Sequence, residues 1–151
     1  MELDPATRET LARAVHEAYL ERFAGGPDDP ETRRWEALPE ETREANRAQV
    51  DDIVSKAALI GCAITGSSDA DAAFAFADAE IELLARQEHD RWMAERSGAG
   101  WVFGDPRDDE AKRHPDLIPF EDHSEEDKEK DREAVRRIPE LLRSAGYGLR
   151  R

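Results

Sequence analysis

Apolar residues recur along this chain at three- and four-residue intervals, the spacing that collects them on one face of an α-helix. Leu11, Ala12, Val15, Tyr19 and Leu20 form the first such series. Asp4 is its expected N-cap and Pro5 its first helical residue, with Gly25-Gly26 as the stop. A second helix is predicted from about Pro39, with acidic residues in its first turn where the helix dipole favours them. It runs through Val50, Ile53, Ala57 and Ile60 to Gly61. A third spans about Asp78–Arg96, with Ile81, Leu84, Ala85, Glu88 and Trp92 on one side, ended by Gly98 and Gly100. A fourth is capped by Ser124 and closed by Gly146, and Pro139 within it predicts a kink near Ile138. Cys62-Ala63-Ile64 and Tyr147-Gly148-Leu149 read as very short strands. Thr65–Ala77 connects the halves, and Phe74 and Phe76 fit either a continued helix or a packed seam.

The same pattern occurs twice. Trp35–Ile64 aligns without a gap on Phe120–Leu149, every position displaced by 85. Glu36/Glu121, Glu40/Glu125, Glu41/Glu126, Glu44/Glu129, Arg47/Arg132, Val50/Val135, Ile53/Ile138 and Gly61/Gly146 are identical pairs. Upstream, Leu11–Tyr19 matches Leu84–Trp92 at a displacement of 73. The second copy therefore carries about a dozen extra residues between its helices, within Gly98–Pro119. The expected fold is mainly α: one compact domain, 1–151, of two pseudo-twofold-related helix-pair units with short β segments. The first unit is 4–64 and the second 78–151, with a ligand cleft between them.

Composition narrows the function. Hydrophobic and charged residues each make up 38% of the chain, and mean hydropathy is −0.82. No apolar run approaches the roughly 20 residues that span a bilayer, and the acidic N-terminus does not resemble a signal peptide. The single Cys62 excludes an internal disulfide and a cysteine zinc site, which fits a cytoplasmic location. Net charge is −14, so nucleic acid is repelled overall and no membrane partner is expected. A small anion remains compatible, because a few Arg or Lys residues override that field locally.

His89, Trp92, Met93 and Arg96 share a face of the third helix, and His16, Tyr19 and Phe23 hold the corresponding places in the first. Should the two faces meet across one cleft, a base could stack between Tyr19 and Trp92, worth about 1–3 kcal/mol per base, with Arg96 reaching a phosphate. The alternative is that the aromatics are core residues and the histidines bond to backbone. No metal site is expected: His16-Glu17-Ala18-Tyr19 lacks the second histidine of a zinc-protease helix, and His114 and His123 lie at loop or cap positions. No nucleophile elbow, phosphate loop or dinucleotide fingerprint is present. Catalytic residues are therefore expected to be none.

Residues Leu83–Leu149 resemble the ryanodine-receptor (RyR) repeat. The matching motifs are His89-Asp90-Arg91-Trp92, Gly100-Trp101-Val102-Phe103-Gly104, Lys112 through Phe120 with its His114-Pro115 step, Lys128 in the acidic helix, and Gly146-Tyr147. The first half keeps His16–Tyr19, Leu38–Glu41 and Ile60-Gly61 but lacks the aromatic turn and the His-Pro segment. The resemblance implies a free-standing prokaryotic protein with a degenerate first repeat. It also implies a sensor or regulatory module, non-catalytic, that binds an adenine nucleotide or nucleotide-derived signal and requires no cofactor. On that reading His16, Tyr19, His89, Trp92 and Arg96 contact the ligand. Trp101, Phe103, Lys112 and His114 form a second layer or scaffold. A protein-interaction or assembly module is the alternative, and an enzyme acting on a nucleotide or phosphoester, with His89 or Asp90 as base, ranks third.

Overall fold

The computed structural model describes residues 3–22 and 34–151. It is mainly helical: α1 (Pro5–Arg22), α2 (Glu40–Leu59), α3 (Asp78–Gly98), α4 (Glu125–Arg136) and α5 (Ile138–Ser144). Four short strands join them: β1 (Ala63–Gly66), β2 (Val102–Phe103), β3 (Arg113–His114) and β4 (Tyr147–Arg150). Phe23, Gly25 and Gly26 lie outside the described residues. No helix among those described is long and apolar enough to cross a membrane.

Helix boundaries follow the local chemistry. Asp4 Oδ1 accepts the backbone N–H groups of Ala6 and Thr7 at 3.0 and 3.1 Å, capping α1 as expected. Ser124 Oγ accepts the Asp127 N–H at 3.2 Å and caps α4. Beyond α2, Gly61 takes φ +72°, with its N–H on Ala58 O and that of Cys62 on Ala57 O. That is a Schellman ending, whose positive φ costs glycine nothing. Pro139 does more than bend the fourth helix. The chain is interrupted at Arg137, and a separate α5 starts at Ile138. Pro139 lacks the N–H that would otherwise reach the Val135 carbonyl four residues back, which fits the break at this point. The Thr65–Ala77 connector beyond β1 forms turns, and Phe74 is buried with the Arg151 guanidinium 4.9 Å above its ring.

Packing divides the chain into two compact units, Met1–Ala75 with Ile138–Arg151, and Phe76–Arg137. By contact, then, α5 and β4 belong with α1, α2 and β1, although in sequence they close the second repeat. In the first unit Leu11, Ala12, Val50, Ala57, Leu142 and Leu149 form the core. Strand β1 pairs antiparallel with β4, Ile64 opposite Leu149, Ala63 opposite Arg150 and Thr65 opposite Gly148. Ile64 and Leu149 are equivalent positions of the duplication, so this ladder has a local twofold in its register. Gly148 is required there, since a Cβ would stand 2.5 Å from that of Ala70.

Each helix pair carries the same clamp. Arg47 of α2 donates to Glu9 of α1 at 2.7 Å, to Glu40 at 2.6 Å and to Glu44 at 3.1 Å. Within the second unit Arg132 of α4 donates to Glu82 of α3 at 2.8 Å, to Glu125 at 3.0 Å and to Glu129 at 3.4 Å. These are the same residues displaced by 73 on the first helix and 85 on the second. Arg13 pairs with Glu36 and lies 5.9 Å from the Trp35 ring; Arg86 pairs with Glu121 and lies 5.1 Å from the Phe120 ring. Ion pairs this exposed add little stability, so they fix helix register while apolar burial supplies the energy. Leu11→Ala and Leu84→Ala, each removing an almost fully buried equivalent side chain, are expected to cost about 2–5 kcal/mol each. Urea unfolding with an unchanged midpoint would contradict that burial.

Candidate functional site

The second unit concentrates aromatic, cationic and histidine side chains around the last turn of α3 and the segment that follows it. Helix α3 ends in a second Schellman turn: Gly100 has φ +91°, its N–H bonds to Ser97 O, and the Trp101 N–H bonds to Arg96 O at 3.0 Å. That turn sets Trp101 against Arg96. The Arg96 guanidinium stands 5.1 Å from the Trp101 ring centre and 5.7 Å from that of Trp92, so two indoles share one cation. Arg96 Nε is buried without a hydrogen-bond partner, and among the described residues Arg96 holds no carboxylate. Arg107 lies 6.0 Å from the Trp101 ring centre.

Strands β2 and β3 pair in parallel, Val102 beside Arg113 and Phe103 beside His114. Lys112 reaches back to donate to Ala99 O at 2.8 Å, so it buttresses the turn. Val102 and Phe103 are each 57% exposed, an apolar tip on a strongly acidic protein. His114 is buried and meets Trp92 edge-on at 5.0 Å. Its Nδ1 accepts the Asp116 N–H at 3.0 Å, which requires that nitrogen to be unprotonated. Burial pushes its pKa below the ordinary histidine value, in keeping with that role.

His89 is buried beneath Trp92, with ring centres 5.8 Å apart. Its Nε2 lies 2.7 Å from Ile118 O. A carbonyl can only accept, so Nε2 carries the proton and donates, leaving Nδ1 to face Asp131 Oδ2 at 3.6 Å. His123 meets His89 edge-on at 4.4 Å. Burial raises the pKa of the Asp131 carboxyl above the usual range, and nearby His89 only partly opposes this.

In the first unit His16 is likewise buried, 6.5 Å from Tyr19 and 6.3 Å from Trp35. His89 and Phe120 reproduce the latter pair at 6.2 Å with the same 52° tilt. The difference lies around the histidine. Leu38 and Asn46 of the first unit correspond, at the displacement of 85, to His123 and Asp131. Of the proposed site residues, His89, Trp92, Arg96, Trp101 and His114 come together in the second unit; Phe103 and Lys112 flank them. His16 and Tyr19 sit in the first unit, and Phe23 lies outside the described residues. Sequence reasoning passed over Asp131 and treated His123 only as a cap-position residue, although comparing the two copies position by position would have marked both.

The RyR domain model matches residues 76–151, from the start of the second unit to the C-terminus. The chain belongs to the RyR domain family. That span contains the features just described: the helix with His89 and Trp92, the Trp101 turn, and the His114 segment. Membership supports a regulatory or interaction role.

Asp131 offers a direct test of this RyR unit's electrostatics. A carboxyl whose folded pKa is raised is proton-linked to folding: its ionisation costs nothing below the unfolded pKa and opposes folding fully once pH exceeds the folded value. Asp131→Asn, the residue type of Asn46, is therefore expected to raise Tm at pH 7, with the gain shrinking as pH falls through the carboxylate range. A Tm lowered by the same amount at every pH would show that the carboxylate has a purely structural role.

Proposed function

We propose that this RyR protein is a non-catalytic regulatory module whose second unit binds a small anionic ligand with a planar base, an adenine nucleotide or nucleotide-derived signal. The observation that carries the reading is Arg96. A guanidinium held over two indoles, with a buried Nε that nothing accepts among the described residues, is a cation without its anion there, in a protein with a large negative excess. Buried donors are normally satisfied, and arginine is the side chain that best engages phosphate. The neighbouring indoles supply the stacking surface that a base would use.

A second reading, a protein-interaction module, is favoured by the exposed Val102-Phe103 tip, because solvent-facing aromatics beside a half-buried tryptophan are common at interfaces. The two readings separate experimentally. Isothermal titration and thermal-shift measurements with ATP, ADP, cyclic nucleotides, NAD and ADP-ribose should find at least one ligand. At 100 times its Kd, the ligand should add about 2.7 kcal/mol of apparent stability. Trp92→Ala and Arg96→Ala should each abolish that shift. Silence across the whole panel would remove the nucleotide reading, and a stable protein partner lost with Phe103→Ser but kept with Trp92→Ala would establish the other.

A further inference from the structure

A second polar cluster lies where the inserted segment meets the start of α4. Asp116, His123 and Asp127 each place one ligand-type atom within 4.8 Å of the others. His123 belongs to neither the aromatic–cation face nor the helix clamp, yet its side chain is only 6% exposed. Its Nε2 lies 3.1 Å from Asp116 O, an acceptor, so the ring donates its proton there. Nδ1 is left with no hydrogen bond among the described residues; the nearest carboxylate oxygen, Asp127 Oδ2, stands 3.8 Å away. A largely buried imidazole fixed in this tautomer by a backbone carbonyl, with its other nitrogen beside the Asp127 carboxylate and the Asp116 carboxylate in the same cluster, is the arrangement by which proteins prepare a histidine for a metal.

The charge balance favours a cation. Asp131 faces the His89 ring at 3.6 Å, and His123 packs edge-on against that same ring, so a third carboxylate stands near this corner. Lys130 bonds to Asp127 Oδ1 at 3.3 Å, while the other Asp127 oxygen remains on the His123 side. The partial positive charge at the N-terminus of α4 opposes a cation, but Glu125, Glu126 and Asp127 in that first turn outweigh it. The first helix pair has Leu38 where His123 stands, so the imidazole is not needed to pack two such helices.

We infer that Asp116, His123 Nδ1 and Asp127 form a binding site for one divalent metal ion of the zinc or manganese class, with water completing its coordination. One nitrogen and two carboxylates suit these borderline ions better than calcium, which takes oxygen ligands alone. The separations exceed those around a bound ion, so ligation would draw Asp116 and Asp127 inward by side-chain rotation.

The test is a titration of the intact chain with Zn²⁺ in a non-chelating buffer at pH 7. Calorimetry should give one saturable site per chain, and NMR should show the His123 ring shifting on binding. His123→Leu and Asp127→Asn should each weaken that site by at least about tenfold. His123→Leu installs the Leu38 side chain, and the Ser124 cap accepts from the backbone of residue 127, so both variants should fold, as checked by circular dichroism without metal. Saturable binding that persists at full strength in folded His123→Leu, or only weak non-saturable heats in the wild-type chain, would overturn the assignment.

Discussion

The hydrogen bond from His89 Nε2 to the Ile118 carbonyl fixes the geometry of the second unit. Helix α3 alone would place His89, Trp92 and Arg96 in a row and leave the inserted segment free to wander. A buried imidazole must find an acceptor for its proton, and the one it finds belongs to the chain between β3 and α4. That contact ties the segment to the helix. His114 is thereby set against the edge of Trp92, and His123 against His89 itself. The His–Asp cluster and the His114 edge of the aromatic–cation face depend on this anchor, while the Gly100 turn sets Trp101 against Arg96.

The two helix pairs separate what the fold needs from what has been added. The clamp of one arginine on three carboxylates, the buried histidine, the aromatic ring tilted against it and the apolar seam occur in both. These are the requirements for laying two amphipathic helices side by side in a single register. The additions sit in the second pair alone. A leucine position carries His123, an asparagine position carries Asp131, and the longer link supplies Trp101, His114 and Asp116. Buried titratable groups are costly, and the first pair shows that the architecture stands without them.

Much of this was legible in the residues. Helix caps at Asp4 and Ser124, and glycine stops at Gly61 and Gly146, follow from backbone chemistry that acts over a few residues, whereas the pairing of the two short β segments joins distant parts of the chain. The duplication showed Arg47/Arg132, Glu40/Glu125 and Glu44/Glu129 as identical pairs, but the reach of each arginine to Glu9 or Glu82 on the neighbouring helix emerged only in the structure. Other features depend on contacts distant in sequence. Pro139 announced a disturbance, but whether a helix bends or breaks there depends on what each side packs against. The transfer of α5 and β4 to the first unit was hidden for the same reason. Helical spacing found His89, Trp92 and Arg96 because they share one helix. It could not find Asp116, His123 and Asp127, which a loop and a helix end bring together.

Arg96 sharpens the question of how so acidic a chain could hold an anion. At physiological ionic strength the field of a surface carboxylate fades over about 8 Å, so the global charge of −14 governs approach far more than the bound state. A long polyanion must lie across many acidic helix faces and pays that repulsion at each. A ligand with two or three charges need only meet the local potential, and there Arg96 stands against the uncharged faces of Trp92 and Trp101, while Arg107 is held by Asp109. Indole rings hold a guanidinium without neutralising it, whereas a carboxylate partner would cancel its charge. Placing arginine on tryptophan rather than on glutamate therefore keeps a full positive charge available in an acidic surface. The many Arg–Glu pairs elsewhere in the chain show that the other arrangement was within easy reach.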